Sequence, residues 1–245
     1  MASAGIPNRS PMKAALQMSD LQPRPEVPIR DAATVLVVRR RAAGPEILMG
    51  MRGEAAVFMP SKYVFPGGAV DKGDATVPLA RPLSALCQAR LDDGAEPGRS
   101  NALAACAIRE LFEETGLMLG APSPWPGEVP ADWQGFAGAG YQPDAESLTF
   151  VFRAITPSGR PRRFDARFFL TDAEYIAGDS DDFSRASDEL SHLHWVPIAE
   201  ARRLNLPFIT EVVLAEVAQL LATGTAPESV PFFDNSGPVP AFRRL

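Results

Sequence analysis

Apolar positions along the chain fall into short runs with two periods. Residues 32–40 (A-A-T-V-L-V-V-R-R) are apolar and β-branched and end on arginines, as a buried strand does. Ala42-Ala43-Gly44-Pro45 reads as a turn, and residues 46–52 as the returning strand of a hairpin. A loop over 53–62 leads to a short strand at 63–65, which runs into Pro66-Gly67-Gly68. Residues 148–155 and 164–170 repeat the hairpin pattern around the turn at 157–161. The period lengthens to that of a helix at 78–91, with Pro82 near a first turn, at 198–204, and at 208–222, where Thr223-Gly224 ends it. Residues 1–29, rich in Pro, Ser and charge, read as a mobile lead-in. Residues 121–143 read as a long loop and 225–245 as a tail along the surface.

The densest helical pattern is the stretch Cys106 to Leu117, C-A-I-R-E-L-F-E-E-T-G-L. Ala104, Ala105, Ile108, Leu111 and Phe112 share one arc, while Glu110, Glu113 and Glu114, at i, i+3 and i+4, share the opposite one. Ser100 or Asn101 is the expected N-cap, and Gly116 the C′ residue. Three carboxylates one turn apart repel each other, and the helix dipole disfavours them near a C-terminal end. Arg109 offsets part of this by pairing with Glu113. A local rule broken this densely on a well-patterned helix points to a site, and divalent cations between the carboxylates would make it tolerable. A solvated acidic face is the alternative.

Composition narrows the classes. The chain has 245 residues, 46% of them hydrophobic, enough for a real core with room beyond one minimal domain. A formal net charge of −6 argues against a general nucleic-acid-binding surface. Two cysteines, Cys87 and Cys106, make no disulfide framework, so a reducing, cytoplasmic setting is expected. Two histidines, His192 and His194, are too few for a histidine-rich metal site. No run approaches the roughly 20 apolar residues of a membrane span.

The Phe65-Pro66-Gly67-Gly68 lead-in and the run R-E-L-F-E-E-T-G-L from Arg109 to Leu117 together resemble the box of the Nudix hydrolase family: G, five residues, E, seven residues, then R-E-U-x-E-E-x-G-U. The second half matches at every position. The first half is interrupted, because an insertion over about 69–100 separates Gly68 from the helix. Counting forward from Gly68 puts the first box acid at Asp74, and counting back from Arg109 puts it at Asn101. Leu48, Arg52 and the Phe-Pro-Gly-Gly also fall at the spacing of the coenzyme A diphosphatase signature, while Gly53, Val57 and Ser61 depart from it. With the insertion, the pattern is similar to the animal peroxisomal branch of those enzymes.

The resemblance implies an α/β fold, a Nudix-type α/β/α sandwich with a mixed central sheet, in a domain over 30–224. It implies Mg²⁺- or Mn²⁺-dependent hydrolysis of a nucleoside-diphosphate-linked small molecule, with coenzyme A or an acyl-CoA first. ADP-ribose, dinucleotides, the 5′ end of RNA and a non-catalytic nucleotide sensor stand as alternatives. Glu110, Glu113, Glu114 and the backbone at Gly68 would hold metal, and Arg109 would orient the acids. Glu189, in the loop before a strand ending in Trp195-Val196, matches the position of a metal-completing or general-base glutamate, with Asp182 and Asp188 as rivals and Glu110 as a second candidate base. Arg52, Phe65 and Arg163 are the expected substrate contacts. Arg52 is otherwise a strand-end surface arginine, and Arg163 belongs to a basic patch (Arg160, Arg162, Arg163, Arg167) that is otherwise a solvated hairpin. Trp133 and Tyr141 either anchor their loop or stack on an adenine. The insertion is expected to sit over the metal site as a lid, or to form a homodimer contact.

Overall fold

The computed structural model describes residues 27–56, 58–92 and 96–245, so the expected lead-in falls almost wholly outside the described residues. The fold is organised around β1 (Ile29–Arg41), whose side chains alternate between two cores. Ala33, Val35 and Val37 face one side, Leu36 and Val38 the other. A strand buried on both faces reads as a continuous apolar run, which is why its sequence shows little alternation. β2 (Gly44–Arg52) returns from it as a hairpin and pairs with its C-terminal half. After β3 (Tyr63–Val64), β4 (Gly67–Ala69) pairs antiparallel with the N-terminal half, Gly68 opposite Ala33. Sharing one edge of β1 between β2 and β4 is what brings the two glycines to the middle of the sheet.

The chain continues through one tight helical turn at Asp74–Thr76, α1 (Ala85–Asp92) and α2 (Arg99–Thr115). β5 (Met118–Pro122), a turn at Ala131–Trp133, α3 (Gln134–Gly138) and β6 (Tyr141–Pro143) follow. Then come β7 (Thr149–Ile155), β8 (Arg163–Asp172), β9 (Ile176–Ala177) and β10 (Leu190–Pro197). α4 (Ile198–Ala201), α5 (Phe208–Thr223), β11 (Pro231–Asp234) and β12 (Ala241–Arg244) complete it. The main sheet runs β10-β2-β1-β8-β7-β11-β12, with β3 on β2 and β4 on β1. β1–β8 and β7–β11 are parallel and the other pairs antiparallel, so the sheet is mixed. β5, β6 and β9 form a smaller sheet. α2 covers one face, with Leu103, Ile108 and Leu111 in the core shared with Val35 and Phe169. α5 covers the other, with Val213, Leu214 and Val217 against Leu36 and Phe152. Each such side chain, fully buried, contributes about 1.5–3 kcal/mol. This is the expected α/β/α sandwich. No helix among the described residues is long and apolar enough to cross a membrane.

Several expectations are corrected. The insertion helix starts at Ala85, not at 78, because the backbones of residues 80 and 81 are hydrogen-bonded to those of Pro143 and Ala145 instead. The described part of the insertion is built into the body of the fold. Val77, Leu83, Cys87 and Leu91 fill the α2-side core, and Arg90 donates to the carbonyls of Pro227 and Glu228. The first turn of α2 is capped from the insertion as well: Asp92 accepts from the Ser100 N–H (3.0 Å) and hydroxyl, and neither Ser100 nor Asn101 is the cap residue, which is Gly98 at φ 80°. The stretch 121–143 is largely structured, anchored by Trp133 against Phe136 and Trp125, while Tyr141 is half-buried. The tail is part of the sheet, since Val230 and Phe232 are buried and β11 extends it beyond β7.

Candidate active site

α2 ends as its sequence requires, on Gly116 at φ 77°, whose N–H returns to the Phe112 carbonyl at 2.8 Å. The helix axis carries Arg109, Glu110, Glu113 and Glu114 past the β4 turn. There the two glycines are required by contact. A Cβ on Gly67 would collide with Ala33 and Thr34, and one on Gly68 would land on the Glu110 carboxylate. The Gly67 N–H donates to Glu114 Oε2 at 2.8 Å, and the Gly68 carbonyl lies 3.6 Å from Cys106 Sγ. Glu114 is 1% exposed, while the Glu113 side chain is 39% exposed and the most open of the three.

Arg109, buried, holds the cluster together. Its Nε and Nη2 donate to the two oxygens of Asp74, each at 3.0 Å, and its Nη1 donates to Glu110 (2.9 Å) and Glu113 (3.2 Å). A fifth contact goes to the Ala69 carbonyl at 3.1 Å. Of the two candidates that the interrupted box offers, Asp74, 2% exposed, is the one that Arg109 engages, through a bidentate fork. Asn101 instead donates to the carbonyls of Ala75 and Val77, both at 3.3 Å, and so pins the turn that carries Asp74.

The electrostatics are unbalanced. Burial pushes the Glu114 carboxyl up to about 8, helped by Glu110 and Glu189 and opposed by the Gly67 N–H and Arg52. Burial likewise raises Glu110 to about 7, against the pull of Arg109 and with Glu113 and Glu189 pushing the same way. Glu113 is raised by burial and by Asp132 and Glu189. Burial works against the Arg109 charge, but Asp74 and Glu110 more than offset it. Clustered oxygen donors with surplus negative charge suit a hard divalent cation. Among the described residues no three such groups yet converge on one point, because Arg109 holds Glu110 and Glu113 while Gly67 holds Glu114.

The sequence-derived residues divide. Arg109, Glu110, Glu113, Glu114 and Gly68 come together, and exposed Glu189 and half-buried Arg52 stand near enough to act on these carboxyls electrostatically. Asp182 caps its own loop, accepting from the Ser184 N–H at 3.0 Å. Phe65 is not at this cluster: it is 4% exposed in the α5-side core with Leu36 and Met49, so its ring offers no face to a substrate. Arg163 is 2% exposed and is occupied by the carbonyls of Thr156 (3.1 Å) and Asn235 (2.9 Å), which tie the β7–β8 hairpin to the C-terminal segment. A strand alternates by residue, and nothing local told which of Arg162 and Arg163 turns inward. Sequence reasoning missed Asp132, on the turn at 131–133, which acts on Glu113. Only the packing on α2 of α3, which follows that turn, through Phe112 and Phe136 (5.0 Å between ring centres), brings it there.

No family model matches the chain. A Caenorhabditis elegans protein named nudix hydrolase 7 is 27% identical over 179 residues, 68% of this chain and 51% of its own length. An acyl-coenzyme A diphosphatase of Gallus gallus is 33% identical over 130 residues, 40% of this chain and 34% of its own. The chain thus spans about half the length, or less, of these curated relatives. A crystal structure of a Nudix hydrolase from Alicyclobacillus acidocaldarius superposes with a TM-score of 0.59 at 28% identity, over 81% of this chain and 97% of that one. The box residues, the glycines packed on their carboxylates, the sandwich around them and these relatives agree: in sequence and in fold this chain is similar to Nudix hydrolases.

Proposed function

We propose that this chain hydrolyses the diphosphate bond of a nucleoside-diphosphate-linked small molecule with Mg²⁺ or Mn²⁺, and that coenzyme A or an acyl-CoA is the first substrate to try. The observation that carries the reading is the surplus of carboxylates at the box, raised by burial and by one another beside a single buried arginine. Glu110, Glu113 and Glu114 would hold the metal, with the Gly68 carbonyl beside them. Bound there, the cation would offset charge on the leaving phosphate and make a water more acidic.

The protein's own residues do the rest. Gly67 fixes Glu114 by its N–H, and the bare Gly68 lets Glu110 close on the β4 turn. Arg109, out of reach of solvent, sets the spacing of Glu110 and Glu113 without touching substrate. Arg52 is the cation at the open side and takes a substrate phosphate. Glu189, exposed before β10, accepts the proton of the attacking water, with Glu110 as the alternative acceptor. The coenzyme A preference is supported by the spacing of Leu48, Arg52 and the Phe-Pro-Gly-Gly, and by the named activity of the Gallus gallus relative.

The test is purified protein with Mg²⁺ or Mn²⁺ and coenzyme A, the products separated by chromatography. Formation of 3′,5′-ADP and 4′-phosphopantetheine, abolished by Glu114→Gln, is the expected result. Turnover of ADP-ribose or dinucleotides instead would keep the hydrolase and replace the substrate. Metal-independent nucleotide binding with no turnover anywhere in the panel would overturn it in favour of a sensor.

A further inference from the structure

Residues 178–189 join β9 to β10 and end on Glu189. They are held at two places. Arg39, on β1, donates through Nη1 to Asp181 at 2.7 Å and through Nε to Glu46 at 2.6 Å, while its guanidinium lies 4.4 Å from the centre of the Trp195 ring. Arg41 approaches Asp181 as well, at 3.9 Å. At the other end the Ser187 N–H donates to the Glu113 carbonyl at 3.0 Å, and Arg185 lies over Phe112 and against the bare Cα of Gly116. Phe183, between the two anchors, packs on the α2-side core. Glu189 itself is exposed, and among the described residues its hydrogen bonding is a 3.4 Å contact from its N–H to Ser187 Oγ. Its place is therefore set by the anchors.

We propose that Arg39 and Asp181 are positioning residues: their ion pair, seated on Trp195, holds the 178–189 segment against the end of α2 so that Glu189 stands at the box carboxylates. The role rests on the hydrolase reading above. It calls for arginine, because one planar group has to stack on an indole and reach two carboxylates on different elements at once; a lysine ammonium has neither the face nor the fork. The arrangement also explains the side-chain accounting of the loop. Asp181 is half exposed, where an isolated ion pair contributes little to stability, so its worth lies in register.

The experiment is a double-mutant cycle with coenzyme A and ADP-ribose as probes, read beside hydrogen exchange. Asp181→Asn lowers kcat by about tenfold through misplacement of Glu189. The melting temperature is unchanged. In a Glu189→Gln background the same substitution costs nothing further, because both act through one group. Arg39→Lys moves in the direction of Asp181→Asn. The Ser187 amide exchanges faster in both, while α2 and the main sheet keep their protection. Losses that multiply in the double variant, unchanged protection at Ser187, or full activity in Glu189→Gln would each overturn the role. Wild-type protein silent on every diphosphate probe would overturn the hydrolase reading and the positioning role with it, whatever the loop does.

Discussion

Two of the arginine–carboxylate clusters among the described residues differ in balance. Between β1, β7 and β8, Arg167 pairs with Asp31 (2.5 Å) and Asp165 (3.1 Å), Arg153 forks onto Asp165 (2.9 and 2.7 Å), and Arg99 reaches Asp31. Three arginines there meet two aspartates, and burial together with Arg153 and Arg99 lowers Arg167 to about 10 against the pull of Asp165. At the box, one arginine meets Asp74, Glu110 and Glu113, with Glu114 and Glu189 close by, and there Glu110, Glu113 and Glu114 are raised by burial instead. The first cluster nearly satisfies itself and ties strands together. The second is short of positive charge, the imbalance that the proposed divalent cation would offset.

Four outcomes would sharpen or break that contrast. The largest is at Glu114. Glu114→Gln keeps the shape and removes a carboxylate proposed to hold the metal, and is expected to cut kcat by about a thousandfold or more. Its melting temperature should not fall, and retained turnover would make the surplus charge idle. The reverse is expected in the balanced cluster. Asp165→Ala leaves Arg153 and Arg167 short of partners and should destabilise by about 3–5 kcal/mol in urea unfolding, while the folded fraction keeps its kcat. A kcat loss there without a stability loss would erase the distinction.

Next is the pH dependence of the metal-free protein. Glu110 and Glu114 have folded values raised to about 7 and about 8, above those of the unfolded chain. Between these limits the folded state binds more protons, so stability falls as pH rises from about 5 through 8. Thermal melts in chelator at pH 5.5 and 8 should show the drop, and Mg²⁺ at pH 8 should reverse it. A flat profile would mean that the carboxylates are relieved in some other way. The smallest effect is expected at the hairpin turn. Arg160→Gln and Arg162→Gln, both exposed, should change KM by no more than about twofold. A larger rise would return the basic hairpin to the substrate's path.

What the sequence determined by itself is what local geometry determines. The carboxylate face of α2, its Gly116 stop and the buried β1 follow from spacings of one to four residues, and these are read directly from the order of side chains. The box acid could not be read, since about thirty residues separate Gly68 from α2 and either Asp74 or Asn101 satisfies a count. Only folding showed that Asp74 turns inward to meet the Nε–Nη2 edge of Arg109 while Asn101 holds the carbonyls of Ala75 and Val77 beside it. The places of Phe65 and Arg163 were hidden for a related reason: a motif position or a basic run does not say which face of a sheet a residue takes, and both are buried, Phe65 in the α5-side core and Arg163 against backbone carbonyls. The path of the insertion, the incorporation of the tail into the sheet, and the seating of 178–189 on Arg39 and α2 are contacts between distant parts of the chain. Long-range packing chose them from arrangements that the local pattern left equally open.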